Sequence, residues 1–391
     1  MWVLQELGRA LQTSFYMFWQ VLWPLGLGFL LSAVVETVIA RQTITGALGK
    51  DSVRGVALAA ALGAASSSCS YAAVAIARTL FRKGATFANA IIFEFASTNL
   101  VFELGLVLLI LLGWQFVGAE LAGGLVMVVL LALAFRATMR PGLVDRARAQ
   151  AARGLLGRME GHAAMDMSVT DGPLLRRLVS PRAITSISHY FFMNVYSLWF
   201  DLLLGFLIAG ALAAWVPDSF WSHLFLTGNG VGSEVWGAVI GPLVAMITFV
   251  CSVGNVPLAA VLWRGGISFS GVIAFIFADL VILPILNIYR RYYTASVSGY
   301  LLAVSLPTMA VAGLLIGLLF RALNAVPTSR NVTAFTAPIS WNSDTILDIG
   351  FLLLIGLLLV RFLRTGGVMM LRQMNLPPDH RTAAHAEHHA G

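Results

Sequence analysis

The chain has 391 residues, 59% of them hydrophobic and 11% charged, with a mean hydropathy of +0.85. Soluble domains carry about 25% charged and about 45–50% apolar residues, and an apolar excess on this scale cannot be covered by a water-soluble surface. That excludes a cytosolic enzyme, a secreted module and a nucleic-acid binder, and reads as a polytopic membrane protein. The net charge of +7 and the pI near 9.8 do not argue for a nucleic-acid partner. The basic residues sit at the ends of apolar segments, where the positive-inside bias puts them. Two cysteines imply no disulfide framework. The first apolar segment is too long for a signal-peptide core, so no cleavable leader is expected.

Apolar windows of about 20 residues, enough to span a bilayer core, fall at 15–40, 85–113, 116–136, 184–214, 267–289, 298–322 and 346–364. Two further apolar stretches, 54–82 and 236–264, are interrupted at their centres by small polar residues: Ser66-Ser67-Ser68-Cys69-Ser70 and Thr248-Phe249-Val250-Cys251-Ser252. Each half of such a stretch is about 20 Å of helix, enough to reach the midplane from one side. The segmentation expected is a first membrane repeat over 1–136, a basic cytoplasmic loop over 137–183, and a second membrane repeat over 184–322. An external loop over 323–345, a final transmembrane helix over 346–364 and a disordered cytoplasmic tail over 365–391 complete it.

An internal repeat runs through the chain at an offset of 182 residues. Cys69-Ser70 aligns with Cys251-Ser252, and Leu80, Arg82, Gly84, Phe87, Ile91, Phe93 and Phe95 align with Leu262, Arg264, Gly266, Phe269, Ile273, Phe275 and Phe277. Repeats with broken apolar segments at corresponding positions are the signature of secondary transporters. Basic residues discriminate between the orientations of the halves. If 54–82 and 236–264 cross fully, the repeats are parallel and the 25 basic residues divide 16 inside to 9 outside. If both stretches are re-entrant hairpins, the repeats are inverted and only Arg9, Arg264, Arg321 and Arg330 lie outside, a division of 21 to 4. The positive-inside bias favours the second. The fold expected is all-α, with about seven spanning helices plus two re-entrant helical hairpins in two inverted repeats; eight or nine full spans in parallel repeats are the alternative.

The two cysteines occupy one repeat position beside polar breaks. Buried cysteines often act as small hydrophobes, but two facing thiols can hold a soft metal or metalloid. Two sulfurs are too few for structural zinc, so no metal centre and no cofactor are expected. Ser70, Ser252, Asn255 and Asn99 are candidates for lining the substrate path, with half-helix N-termini starting near Ser70 and Ser252. Intramembrane ionisable groups cost several kcal/mol unless paired or hydrated. They are Glu36, Glu94, Glu103, Asp201 and Asp279, with Arg78 and His189 nearer segment ends. Glu94 and Asp279, on the segments that follow the hairpins, are the proton-coupling candidates, and the runs Glu94–Asn99 and Ala278-Asp279 are read as interruptions of those segments. A structural pairing with Arg78, Asn99 or His189 is the competing reading. Pro257 and Pro284 read as kinks. Gly313 and Gly317 fit a GxxxG contact, read as internal packing with a homodimer as the alternative. No HExxH or GxSxG run supports an enzyme.

At the two Cys segments the sequence resembles a bacterial family of predicted permeases that includes the ArsP-like organoarsenical exporters. The matching residues are Ser67-Ser68-Cys69-Ser70, Leu80-Phe81-Arg82-Lys83-Gly84-Ala85 and Cys251-Ser252-Val253-Gly254-Asn255-Val256-Pro257-Leu258-Ala259. Tyr71 and Val253 stand where the exporters' Cys-Ser-Cys-Gly run has its second cysteine. The resemblance implies efflux of a small solute, with thiophilic metalloids and organoarsenicals as the candidate substrates. The expectation is an inner-membrane secondary transporter that is not an enzyme, whose partners are a small-molecule or metalloid substrate and the lipid bilayer. A membrane scaffold or complex subunit without transport of its own is the alternative.

Overall fold

The structure is a computed structural model that describes residues 2–38, 48–66, 70–151, 167–169, 178–217, 220, 223–226, 230–248, 252–330 and 343–374. The described residues form helices joined by short turns. In chain order these are α1 (Trp2–Val38), α2 (Val53–Ser66), α3 (Ser70–Arg82), α4 (Phe87–Asn99), α5 (Phe102–Leu111), α6 (Trp114–Thr138) and α7 (Pro141–Ala151). They continue as α8 (Pro181–Trp215), α9 (Val231–Thr248), α10 (Ser252–Arg264), α11 (Phe269–Phe277), a 3-10 turn (Ala278–Leu280), α12 (Leu283–Tyr292), α13 (Ala295–Ala322), α14 (Ser343–Arg364) and α15 (Gly367–Met374). Among the described residues, six segments are long and apolar enough to cross a membrane: Val21–Val38, Phe87–Leu111, Trp114–Thr138, Phe269–Tyr292, Ala295–Ala322 and Thr345–Arg364. Shorter apolar helices accompany them at Val53–Ser66, Leu202–Trp215 and Val231–Ile247.

The outer surface has a lipid-facing chemistry. On α6, Leu121, Leu125, Val129 and Leu133 are exposed at four-residue spacing, while Phe116, Gly123, Met127, Leu131 and Phe135 are buried. A helix that is apolar on both faces belongs in the bilayer. The core is formed by α4 and α11, whose side chains are almost wholly buried. Helix α2 packs on α4, and α9 packs on α11. The long helices α1 and α8 pack on each other. Contacts then cross between the halves reciprocally: α3 meets α12, and α10 meets α5.

Local chemistry recurs at the same 182-residue spacing. Helices α3 and α10 begin at Ser70 and Ser252 and end at Arg82 and Arg264. Both then turn through a left-handed glycine, Gly84 (φ 112°) and Gly266 (φ 107°), a conformation that favours a residue without Cβ. Thr86 and Ser268 next cap α4 and α11, accepting hydrogen bonds from the backbone N–H of Asn89 and Gly271.

Two expectations are corrected, the interruption at Glu94–Asn99 and the kink at Pro284. The run Glu94–Asn99 does not interrupt its segment; it is helical, and the break falls at Leu100-Val101. Its polar side chains turn back on their own helix, Ser97 Oγ donating to the Glu94 carbonyl (2.8 Å) and Thr98 Oγ1 to that of Phe95 (3.2 Å). Pro284 starts α12 in its first turn instead of kinking a span. The 137–183 segment contains α7, and the described start of the 365–391 segment is helical as α15. Gly313 and Gly317 are used inside the chain: a Cβ at Gly313 would lie 2.8 Å from the Ser270 carbonyl oxygen, and one at Gly317 would lie 3.0 Å from Ser270 Cα.

Candidate functional site

The buried polar residues converge where the second half-helices meet the breaks in the long core segments. After Phe277, α11 tightens into the 3-10 turn that carries Asp279, and Ile282 then leads into α12. In the other half α4 ends at Asn99. Asp279 is fully buried. Its Oδ2 accepts a hydrogen bond from Ser70 Oγ at 2.7 Å, and its Oδ1 accepts one from Asn99 Nδ2 at 3.4 Å. A carboxyl of the second half is thus held by the first residue of α3 and the last residue of α4, both of the first half.

Glu94 is also fully buried, on α4. Its Oε1 accepts from the Tyr289 hydroxyl of α12, a second polar link between the halves. Tyr289 stacks on Tyr293, which meets Phe81 and Phe87 edge-on. Beyond that cluster Arg78 lies over the Tyr292 ring, 4.6 Å from its centroid, and donates to the Ala151 carbonyl of α7 at 3.0 Å. An aromatic stack therefore separates the Glu94 carboxyl from the α7 end of the molecule.

Of the residues singled out from sequence, Ser70, Asn99 and Asp279 come together in one hydrogen-bonded group. Glu94 joins the junction through Tyr289. Ser252 and Asn255 are buried at the start of α10, which packs against the 3-10 turn carrying Asp279. Cys69 and Cys251 lie outside the described residues, and the side chain of Asp201 does too. Among the described residues, Arg78 and His189 reach partners other than Glu94 and Asp279. His189 Nε2 is 2.8 Å from Thr365 Oγ1, and its ring packs edge-on against Phe362. Glu103 is placed against α1, where a Cβ on Gly28 would lie 2.9 Å from Glu103 Cα.

Two residues of the junction escape the sequence reading: Tyr289 and Glu120. Tyr289 precedes Arg290-Arg291 and so resembles an interfacial aromatic, yet the amphipathic α12 turns it inward. Glu120 stands near the start of an apolar span, where a carboxyl reads as interfacial, but it is only 2% exposed. The available signal was the pair Gly123-Gly124 one turn later, since adjacent glycines in a membrane helix mark a close approach. A large groove between α1 and α8, bordered by Phe15, Phe18, Phe29, Phe191 and Phe206, is apolar and holds none of these carboxyls.

Arrangements of this kind suit binding and proton exchange. Hydroxyl, amide and carboxyl groups meet at buried helix breaks, and irregular backbone inside a membrane is tolerated only where it is buried in protein or lines a cavity. Among the described residues no group of His, Cys, Asp and Glu has the arrangement of a metal site.

The profile of a family described as predicted permease, ArsP_1, matches residues 6–318. A Mycobacterium tuberculosis (H37Rv) protein named "Putative permease Rv2963" is 56% identical over 343 residues, covering 88% of this chain and 84% of the relative. No solved structure matches the chain. With a family profile matched over most of its length and so similar a relative, the chain belongs to the ArsP_1 family of predicted permeases.

Proposed function

We propose that this permease is a secondary transporter of the inner (plasma) membrane, moving a small solute by alternating access without a catalytic step. The observation that carries the reading is the capture of Asp279, from one half, by Ser70 and Asn99 of the other. A buried carboxyl shared between two halves is a group whose hydration and partners change when the halves rock apart. Two repeats are supported by the common 182-residue register of α3 and α10, their capped successors and the positive-φ glycines between them, and their inversion through re-entrant hairpins by the 21-to-4 division of basic residues. The basic 137–183 segment and the C-terminal tail are assigned to the cytoplasm on the charge bias.

Substrate contacts are assigned to Cys69, Ser70, Cys251, Ser252, Asn255 and Asn99, with Glu94 and Asp279 coupling transport to protons. The thiols favour a thiophilic solute, such as a trivalent organoarsenical or another metalloid species. The test is uptake into proteoliposomes from a panel of organoarsenicals, metalloid oxyanions, soft metal ions and small metabolites. A transported solute should lose at least about tenfold in rate with Asp279→Asn, which corresponds to about 1.4 kcal/mol. The Cys69→Ala/Cys251→Ala double variant should lose transport of thiophilic solutes while remaining folded. Undiminished transport in Asp279→Asn would refute the site. Undiminished transport of thiophilic solutes in the double cysteine variant would move binding to the carboxyl and amide groups.

A further inference from the structure

The junction contains a third carboxyl that the transport reading leaves unused. Glu120 lies on the buried face of α6, and neither of its carboxyl oxygens has a hydrogen-bond partner among the described residues. Its placement follows from packing. One turn further on, a Cβ at Gly124 would lie 2.5 Å from the side chain of Leu100, at the α4–α5 break. One at Gly123 would lie 2.6 Å from the ring of Phe277, the last residue before the 3-10 turn. Only glycines allow α6 to sit this close to both breaks, so the face that carries Glu120 packs against Leu100, which follows Asn99, and Phe277, two residues before Asp279.

Other acceptors at the junction are bare as well. Among the described residues Glu94 Oε2 has no partner, and neither has Asn99 Oδ1, although the Asn99 amide nitrogen is bonded to Asp279 and the residue is only 1% exposed. No ion pair joins Glu94, Glu120 or Asp279 to a basic side chain among the described residues. The other titratable groups on helices packed against α6 are turned elsewhere: Arg54 of α2 is exposed, Glu103 of α5 sits against Gly28, Tyr300 of α13 bonds to Thr138, and Arg321 lies at the exposed end of α13. On α4 the facing group is Glu94, and α11 carries none. An ionised carboxyl with two bare oxygens is not sustained in such surroundings. It is held as the neutral acid or balanced by a cation, and no metal-type grouping exists among the described residues.

We propose that Glu120 is a further proton-binding residue of this site, coupled to Asp279, so that the junction carries more protons than Glu94 and Asp279 alone. The role in a transport cycle rests on the secondary-transporter reading; the proton binding does not. Glu120 holds its proton while the junction is closed and gives it up when rearrangement of the breaks admits water.

Infrared difference spectroscopy of the full chain in lipid nanodiscs, titrated with pH, tests this without any substrate. Wild type should show protonated-carboxyl bands that disappear as pH rises. Glu120→Gln should lose one glutamic acid band and displace the titration of the aspartic acid band from Asp279, because coupled sites titrate as a pair. Glu120→Asp should move the lost band to the aspartic acid position, and it provides the readout if the glutamine variant does not fold. Spectra of both variants that superimpose on wild type would overturn the proposal, as would a carboxyl at position 120 that stays ionised throughout. A protein that titrates as described but moves no solute would sink the transporter reading and leave the proton site standing.

Discussion

Two ends of the molecule are closed by the same device, built from residues 182 apart. At one, Arg148 of α7 lies over Phe81, 4.8 Å from the ring centroid, and Phe81 meets Phe87 edge-on. At the other, Arg330 lies over Trp263 at 4.1 Å, and Trp263 meets Phe269 edge-on. Each cluster is completed by an aromatic from the other half: Tyr293 on Phe81 and Phe87, Phe116 on Trp263 and Phe269. The fastening differs. Arg330 also donates to the carbonyls of Trp263 (2.7 Å) and Ile267 (2.8 Å), capping the end of α10. Burial pulls the Arg330 guanidinium below its ordinary pKa, while the Glu234 carboxylate opposes that shift. Arg148 is exposed, and α7 is instead tied down by Arg78 on the Ala151 carbonyl and by Gln150 on that of Arg291. The difference teaches that backbone register recurs in both halves while the polar groups do not. Glu94 and Glu120 belong to one half, Asp279 and Tyr289 to the other.

That comparison can be broken or sharpened by paired substitutions. The largest effect is expected where α2 crosses α4 and α9 crosses α11. A Cβ at Gly63 would lie 2.4 Å from the Phe93 carbonyl oxygen, and one at Gly241 would lie 2.4 Å from that of Gly271. Because backbone cannot yield as a side-chain tip does, Gly63→Ala and Gly241→Ala should each cost about 1–3 kcal/mol or more, read as loss of thermal stability in detergent. An effect of comparable size separates the ends. Arg330→Ala removes a ring contact and two hydrogen bonds to carbonyls, worth about 1.5–3 kcal/mol for a charged donor. Arg148→Ala removes an exposed ring contact of about 0.5–1 kcal/mol. Equal losses in the two variants would show that the ends are fastened alike. The caps form a matched pair below Arg330: Thr86→Ala and Ser268→Ala should each cost about 1 kcal/mol, by similar amounts, because each hydroxyl accepts from one backbone N–H.

Much of this architecture was legible in the sequence because membrane helices announce themselves by apolar length. The starts of α3 and α10 at Ser70 and Ser252 follow from polar breaks inside apolar runs, and Asp279 from a carboxyl inside a span. What escaped depended on packing between distant segments. The run Glu94–Asn99 looked like a break, yet hydroxyls that bond to carbonyls one turn back are compatible with helix. The inward face of Tyr289 depends on α12 lying against α3 and α13, and the burial of Glu120 on α6 reaching two helix breaks through Gly123 and Gly124. The first is not encoded in a local window, and the second is signalled there only by the Gly123-Gly124 pair.

The central claim is that the starts of α3 and α10 line one cavity that opens alternately to the two sides of the membrane. The native thiols immediately before them, Cys69 and Cys251, provide the direct test. With Cys69→Ala and Cys251→Ala isolating each thiol, a membrane-impermeant thiol reagent would be applied to right-side-out and inside-out vesicles. The account predicts that each cysteine reacts from both sides, and that a transported solute slows the reaction. Thiols that react from neither side, or each from one fixed side only, would contradict it.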